Sequence, residues 1–215
     1  MNLKPKVISF DVDGTLVNQD FANKFWHEVV PRLYAKKHGL NYDEALSYVR
    51  KRYAEVGEED IRWYLPSYWF KRFGLDANPL NILKKMRNEL EIYKDAIEAL
   101  EELYDKYELI VISNASKEFL EVELEKIRDY FSKIYSCVSD FGEVRKRPEV
   151  YLKVCKSVNA NPKQILHVGD HHKFDYVVPK QVGIDAYLID RYGRYDGGSE
   201  VLRDLRELKL ILNRV

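Results

Sequence analysis

The sequence is poor in cysteine and has no excess of charge of either sign. Its 215 residues include two cysteines, Cys137 and Cys155, which are not spaced as a C-x-x-C pair. Two such thiols provide no disulfide framework of the kind that small secreted domains use, and we expect both to be reduced in a cytoplasmic protein. Lysine plus arginine (35) equals aspartate plus glutamate (35). This balance does not favour a nucleic-acid-binding surface, so a charged ligand would be held by local charges.

Long apolar runs are also missing. No stretch of about 18 apolar residues, the minimum for a membrane-spanning helix, is present, and we expect no membrane association. The first five residues contain neither the apolar core nor the cleavage site of a secretory signal peptide. Hydrophobic residues still make up 46% of the chain. At this length, that is enough for one packed core, or for a core plus a small insert.

Short apolar runs alternate with amphipathic helical patterns at the start of the chain and again after Tyr93. The first run covers residues 7–10, and the later strand-like runs lie at residues 109–112, 134–138, 165–168 and 186–189. Helical patterns separate these runs, and a last helix is predicted over residues 199–212. Strands that alternate with helices indicate an α/β fold built on a doubly wound, Rossmann-like parallel sheet. We expect residues 1–18 and 91–215 to form this core domain.

Residues 19–90 lack strand-like runs and instead show four helical segments. In the first, apolar residues recur every four positions, at Phe21, Phe25, Val29 and Leu33. In the second, Asn41 is the expected N-cap, with Glu44 three positions later. The third and fourth segments are expected over residues 58–73 and 80–90. We therefore expect a four-helix cap domain inserted after the first strand, with most of its aromatic residues in its own core.

Acidic residues follow two of the predicted strands. Asp11 and Asp13 come directly after the first strand, and Asp170 and Asp175 follow the strand at residues 165–168. Because ligands bind at the carboxyl ends of strands in open α/β sheets, these carboxylates are candidate ligands of a hard divalent cation such as Mg²⁺. Acidic surface turns are the alternative interpretation of either pair.

Hydrogen-bond donors and cations occupy two further clusters. Ser113 and Asn114 end the strand at residues 109–112 and can either bind phosphate oxygens or cap the helix that follows. A basic run at residues 145–147 precedes Pro148. One of its cations can neutralise a phosphoryl group and a carboxylate nucleophile together, or the run can form a solvated loop.

Taken together and in this order, the four clusters resemble the four motifs of the haloacid dehalogenase (HAD) superfamily. Residues 11–16, with the sequence DVDGTL, are similar to motif I, and Ser113 with Asn114 is similar to motif II. Lys146 with Pro148 resembles motif III, and residues 169–175 resemble motif IV. The helical insert between motifs I and II resembles the C1-type cap of this superfamily.

The resemblance implies a catalytic role for the two aspartates of motif I. Asp11 would attack the phosphoryl group and form an aspartyl-phosphate. Asp13 would protonate the leaving oxygen and then activate water. The required Mg²⁺ would be held by Asp11, the backbone carbonyl of Asp13 and Asp170, with Asp175 as a ligand or close neighbour.

The remaining motif residues are implied to bind phosphate. Ser113 and Asn114 would hold the transferring group, and Lys146 would balance the negative charge of the nucleophile and the phosphate. The resemblance thus implies a Mg²⁺-dependent phosphatase that acts on small phosphorylated metabolites. The sequence does not choose between a monomer and a homodimer.

Two features depart from the usual motifs. Lysine usually stands directly before the motif III proline, but Arg147 holds that place, and Lys146 is one position earlier. We assign the role to Lys146, with Arg145 and Arg147 as alternatives. His171 and His172 follow Asp170 where small polar residues are more usual. They either contact the substrate or have no role in the chemistry, and imidazole is a poor ligand for Mg²⁺.

Other activities of the superfamily remain alternatives. Dehalogenases lack the second aspartate because a departing halide needs no proton, so Asp13 favours phosphoryl transfer. A sugar-phosphate phosphomutase would use the same motifs, with an aspartyl-phosphate that survives until a second substrate arrives. A weakly active interaction protein that binds metal and phosphate is the third alternative.

Overall fold

The structure, a computed structural model, describes residues 4–213 and contains one six-stranded sheet. Its strands are β1 (Val7–Phe10), β2 (Glu108–Ser113), β3 (Lys133–Ser136), β4 (Ile165–Gly169), β5 (Asp185–Ile189) and β6 (Val201–Leu202). All pairings are parallel, in the order β3-β2-β1-β4-β5-β6. The predicted doubly wound α/β fold is therefore confirmed.

Alternate residues of the central strands enter two different cores. Ile8 and Phe10 of β1 join one apolar cluster, whereas Val7 joins another on the opposite face. Ile110 and Val111 of β2 divide in the same way. This period-two distribution explains why the strands have nearly continuous apolar sequences, since a parallel sheet is buried on both faces.

Helices cover both faces of the sheet. They are α6 (Lys94–Leu103), α7 (Lys117–Glu123), α8 (Cys137–Asp140), α9 (Pro148–Ser157), α10 (Val178–Gln181) and α11 (Leu208–Leu212), numbered after the five of the insert described below. α10 continues a π-helical segment, His172–Val177. Cys137 and Cys155 are both buried and unpaired. Among residues 4–213, no helix has the length and apolar character needed to cross a bilayer.

The predicted last helix is wrong in its first half. Val201–Leu202 forms β6, which pairs with Leu188 and Ile189 of β5 and extends the edge of the sheet. A 3₁₀ turn, Leu205–Glu207, then leads into α11. A two-residue strand carries no periodicity of its own, so only its pairing with β5 distinguishes it from a helix start.

The regular elements of the insert between β1 and α6 are helices, and Val17 and Ile92 form an isolated β-bridge near its two ends. Its helices are α1 (Asp20–Lys24), α2 (Val30–His38), α3 (Tyr42–Val56), α4 (Pro66–Arg72) and α5 (Pro79–Met86), and a π-helical segment, Phe25–Val29, joins α1 to α2. The Asn41 side chain accepts a hydrogen bond from the Glu44 amide at 3.0 Å, as the expected N-cap does.

The third helical segment of the insert is shorter than predicted. Residues Ile61–Tyr64 form a 3₁₀ turn, and Leu65 is extended before α4 begins at Pro66. The residue before a proline is sterically disfavoured in the α region, which explains the break. The insert has its own aromatic core, to which α7 of the sheet domain contributes Phe119 and Val122.

Candidate active site

Asp11 stands where the strand order of the sheet reverses. Its strand, β1, lies between β2 and β4, and the chain continues outward from each of these neighbours. The Asp11 amide donates to the carbonyl of Val168 in β4 at 2.9 Å, which holds the residue at the carboxyl edge of the sheet. A crevice at such a reversal is the usual ligand site of open α/β sheets.

The turn after Asp11 depends on Gly14. Residues other than glycine rarely adopt its φ of 73°, and a Cβ atom there would lie 2.5 Å from Oδ2 of Asp170. The amides of Thr15, Leu16 and Val17 all donate to the carbonyl of Val12. This compact turn brings the first motif directly against the loop that carries Asp170.

Three carboxylates converge at this point. One oxygen each of Asp11, Asp170 and Asp175 lies within 4.8 Å of the others. Gly169 permits this approach, because a Cβ atom there would lie 2.4 Å from Cγ of Asp175. The ligand set is all oxygen, which fits a hard divalent cation such as Mg²⁺ and not a soft metal.

The Asp13 side chain is not part of this carboxylate cluster. The sequence-based assignment for Asp13 was its backbone carbonyl, and that assignment stays a prediction.

Of the three cations in the basic run, Lys146 reaches the carboxylates. Its side chain is buried, and Nζ lies 2.5 Å from Oδ1 of Asp11 and 2.5 Å from Oδ1 of Asp175. Arg145 instead points to the insert, where it pairs with Glu58 at 3.3 Å and Glu59 at 2.8 Å. The Arg147 side chain is 57% exposed and lies 3.8 Å from Glu143.

A buried histidine, His167, which was not predicted from the sequence, contacts Asp175. His167 of β4 lies 3.0 Å, through Nε2, from Oδ1 of Asp175, and 2.7 Å, through Nδ1, from the hydroxyl of Ser9 in β1. Burial lowers the pKa of His167, which favours the neutral ring. Nε2–H then donates to Asp175, and the Ser9 hydroxyl donates to Nδ1. A histidine within the otherwise apolar run at residues 165–168 was the available signal.

The four charged groups have unequal pKa shifts. Burial raises the pKa of Asp11, and the charges of Asp175 and Asp170 raise it further. Lys146 lowers this pKa but offsets only part of the increase. Burial also raises the pKa of Asp170 to about 6, with a contribution from Asp175. For Asp175 itself, burial acts in the same direction, but Lys146 and the His167 hydrogen bond outweigh it and hold the pKa well below its usual range.

Lys146 remains charged despite its burial. Burial would lower its pKa, but the carboxylates of Asp11 and Asp175 outweigh that effect and raise it. Three carboxylates facing one ammonium group leave an excess of negative charge in the cluster. A bound divalent cation would compensate for that excess.

Asp13 interacts with a second missed residue, Glu123 of α7. Glu123 is completely buried, and neither of its carboxyl oxygens, nor Oδ1 of Asp13, has a hydrogen-bond donor among the described residues. Two carboxylates can share a hydrogen bond only when one of them is protonated. Burial and the charge of Asp13 raise the pKa of Glu123 well above its usual value, which favours its protonated form, and that form can donate to Asp13.

The signal for Glu123 was its position in the sequence. It lies four residues after Phe119 and three after Leu120, on the buried face of α7. A glutamate at core spacing is seldom buried without a partner. The pKa of Asp13 is itself raised to about 7, chiefly by burial and by the charge of Asp170.

Ser113 and Asn114 lie at the end of β2, outside the following helix. Ser116, not either of these residues, is the N-cap of α7. The buried Ser113 hydroxyl accepts a hydrogen bond from the Ala115 amide at 3.1 Å. Oδ1 of Asn114 is buried without a donor. The helix-capping alternative for this pair is therefore wrong.

The two histidines after Asp170 have structural contacts. Nδ1 of His171 accepts a hydrogen bond from the Phe174 amide at 3.4 Å, and its ring packs on that of Phe174. The ring of His172 stacks on Tyr195 at 5.6 Å between centroids. Neither imidazole belongs to the carboxylate cluster. These contacts support the second of the two alternatives for His171 and His172, in which neither residue takes part in the chemistry.

A cleft of about 170 Å³ opens between this site and the insert. Residues at the carboxyl edge of the sheet and at the start of α7 line one side, among them Asp13, Asn114 and Ser116. The insert contributes aromatic side chains, namely Trp26, Trp63 and Tyr64. The cleft thus extends from Asp13 of the first motif to aromatic side chains of the insert.

The family model of haloacid dehalogenase-like hydrolases matches residues 5–183, a range that includes all of the site residues described above. A match over this much of the chain shows that the protein belongs to that family, and it is a hydrolase. The family that the motifs indicated is thus confirmed.

Two curated relatives are phosphorus-ester or anhydride hydrolases by name. The chain is 27% identical over 165 residues to the GMP/IMP nucleotidase YrfG of Escherichia coli, covering 76% of this chain and 73% of the relative. It is 24% identical over 179 residues to the pyrophosphatase PpaX of Bacillus anthracis, covering 79% and 76%.

Solved structures share the whole architecture. A HAD phosphatase from Thermococcus onnurineus has a TM-score of 0.83 and 27% identity, covering 96% of this chain and 97% of that one. A 2-haloacid dehalogenase from Pseudomonas syringae has a TM-score of 0.75 at 18% identity, covering 98% and 99%. The second similarity shows the fold alone.

Proposed function

We propose that this hydrolase is a Mg²⁺-dependent phosphatase of small phosphate monoesters that works through an aspartyl-phosphate on Asp11. The proposal rests on the contact of Lys146 with Asp11. A separate carboxyl, Asp13, is available to carry a proton. A nucleophile held by a buried cation beside an acid of raised pKa suits transfer of a charged group to a carboxylate.

The first half-reaction needs a proton donor. An oxygen of Asp11 forms a bond to phosphorus while the bond from phosphorus to the leaving oxygen breaks. That oxygen takes the bonding electron pair together with the proton of Asp13. The raised pKa of Asp13, about 7, keeps this proton available near neutrality.

The second half-reaction uses Asp13 as a base. Its carboxylate accepts a proton from water as the water oxygen attacks phosphorus, and the bond from phosphorus to Asp11 breaks. Inorganic phosphate leaves, and Asp11 and protonated Asp13 are restored. Lys146, Ser113 and Asn114 would hold the phosphoryl oxygens in both steps.

Asp11, Asp170 and Asp175, with the backbone carbonyl of Asp13, would hold the divalent cation. When bound, Mg²⁺ supplies positive charge that stabilises the negative charge of the transferring phosphoryl group. The buried carboxylate cluster supports a divalent cation, and its all-oxygen chemistry supports Mg²⁺ among such cations.

We also propose that residues 19–90 act as a C1-type cap, with residues 1–18 and 91–215 as the core domain. The aromatic face of the insert over the cleft supports this role, because a closed cap keeps water away from the first transfer. The names of the two curated relatives support phosphorus chemistry over dehalogenation, as does Asp13.

The test measures Mg²⁺-dependent release of phosphate from an aryl phosphate by the wild type and by Asp11→Asn. The matched control is Asp105→Asn, which changes an exposed carboxylate far from the motifs. We expect Asp11→Asn to lose at least about 1,000-fold in kcat, and chelation of the cation to abolish activity reversibly. Isomerisation of a sugar phosphate with little phosphate release would favour the mutase. No turnover across a broad panel of esters would favour the binding protein.

A further inference from the structure

Two adjoining cavities extend from Asp13 into the insert. The first is the 170 Å³ cleft described above, and the second, of about 220 Å³, is lined by Asn23, Trp26, His27, Tyr53 and Trp63. Trp26 and Trp63 line both. The two indole side chains therefore lie between neighbouring cavities, which only together reach the size that small-molecule ligands occupy.

The shared aromatic walls are held in place by other rings. Trp26 packs edge-on against Tyr53, with centroids 5.9 Å apart and planes at 87°, and against Phe25 at 4.9 Å. Trp63 packs on Tyr53 at 5.7 Å, and its carbonyl accepts a hydrogen bond from the buried Trp69 indole at 3.1 Å. Trp26 and Trp63 are only partly buried. Rigid, partly open indoles favour a flat ring that packs against them.

The walls of both cavities, within residues 4–213, contain no lysine or arginine. Three cations elsewhere in the insert are paired with carboxylates, namely Lys24 with Glu89, Arg52 with Glu55 and Arg62 with Asp60. Burial lowers the pKa of His27, which favours its neutral form. A leaving group with a second phosphate or a carboxylate would find no lysine or arginine among these lining residues, and burial of an unpaired charge is costly.

Neutral polar groups do face the first cavity. Oγ of Ser116 and Oδ1 of Asn114 are buried and have no hydrogen-bond partner among the described residues, although both side chains line the cleft beside Asp13. Ser116 is 1% exposed. Unsatisfied buried polar atoms require explanation, and hydroxyl groups of a bound ligand would satisfy these two.

We infer that the two cavities bind the nucleoside portion of a nucleoside monophosphate. The ribose hydroxyls lie near Ser116 and Oδ1 of Asn114, whose amide nitrogen still donates to a phosphoryl oxygen, and the base packs against Trp26 and Trp63. This inference rests on the proposed function: the ester bond from phosphorus to the ribose oxygen breaks, Asp13 gives that oxygen its proton, and one water is consumed. The products are a nucleoside and inorganic phosphate.

The test compares kcat/KM for several substrates and for variants at Trp63. We expect kcat/KM for 5′-GMP or 5′-IMP to exceed that for pyrophosphate and phosphoglycolate by at least about tenfold. Trp63→Leu should lose about 5- to 150-fold in kcat/KM on the nucleotides, the range for loss of one base–aromatic stack, while Trp63→Phe keeps most of it. Tyr48→Leu, which changes an insert aromatic outside both cavities, is the matched control.

Acetyl phosphate separates the two proposals, because its leaving group needs neither cavity. Wild type and the control Tyr48→Leu should hydrolyse it equally, and Trp63→Leu should lose much less on acetyl phosphate than on the nucleotides. Failure of the wild type to hydrolyse it would count against the proposed function itself. Quenching of tryptophan fluorescence by GMP in Asp11→Asn then tests the cavities without turnover. A preference for pyrophosphate or phosphoglycolate, equal loss on acetyl phosphate, or absence of quenching would overturn the inference.

Discussion

The ammonium group of Lys146 lies 2.5 Å from Oδ1 of Asp11, although 135 positions separate the two residues in the chain. The same ammonium contacts Asp175 at 2.5 Å, and all three side chains are almost completely buried. A buried cation between two carboxylates can stabilise the ionised nucleophile and hold the fourth motif against the first. Lys146 therefore links three motifs through one charge.

Lys146→Met is expected to lose about 100- to 1,000-fold in kcat, because the transferring phosphoryl group loses a preorganised cation. The free energy of unfolding should also fall by about 3–5 kcal/mol, since two buried carboxylates are left without their partner. Steady-state kinetics and thermal denaturation measure the two effects. Arg145→Met and Arg147→Met are the matched controls, and a comparable loss of kcat in either would assign the motif III cation elsewhere.

The pH dependence should follow Asp13. Its pKa is raised from 3.8 to about 7, so the carboxyl is protonated below that pH and ionised above it. The general acid is thus lost as the pH rises, and the first step on an alkyl phosphate should slow by about tenfold per unit above pH 7. Single-turnover kinetics check this. An aryl phosphate, whose leaving group needs no proton, should show a much weaker decline; identical profiles would argue against Asp13 as the acid.

Substitution of Glu123 should shift the pH dependence of the first step. Its hydrogen bond lowers the pKa of Asp13, so removal of the donor in Glu123→Leu should raise that pKa and move the alkaline decline to higher pH. Glu123→Gln retains an N–H donor and should leave the decline nearly in place. Glu125→Leu, which changes an exposed glutamate just after α7, is the control. If Leu and Gln at position 123 behaved alike, a purely steric role would explain Glu123 better.

Gly169→Ala should damage the carboxylate cluster. The new Cβ would lie 2.4 Å from Cγ of Asp175, so either the loop or the carboxylate must move. We expect a loss of about 1–3 kcal/mol in the free energy of unfolding and a weaker apparent affinity for Mg²⁺. Denaturant titration and the Mg²⁺ dependence of kcat measure these. Gly197→Ala, at a glycine with nothing within 4 Å of the added atom, should change neither.

The fold and the motif positions were predictable because the evidence for them is local. An apolar run followed by polar residues marks a strand that ends at a ligand site, and four such features in one order identify the family. The break before Pro66 and the strand β6 were missed for opposite reasons. Pro66 offered a local signal that was not used, whereas β6 exists only through its pairing with β5.

The sequence by itself determined the sheet type, the helical insert and the motif residues, since periodicity and residue chemistry act over a few positions. Tertiary structure decided which of three adjacent cations meets Asp11, because the choice depends on where each side chain of the loop points. It also decided that the buried Glu123 interacts with Asp13 and that His167 contacts Asp175. Such pairings depend on distance in space and on exclusion of water, and neither can be predicted from the residues nearby in the sequence.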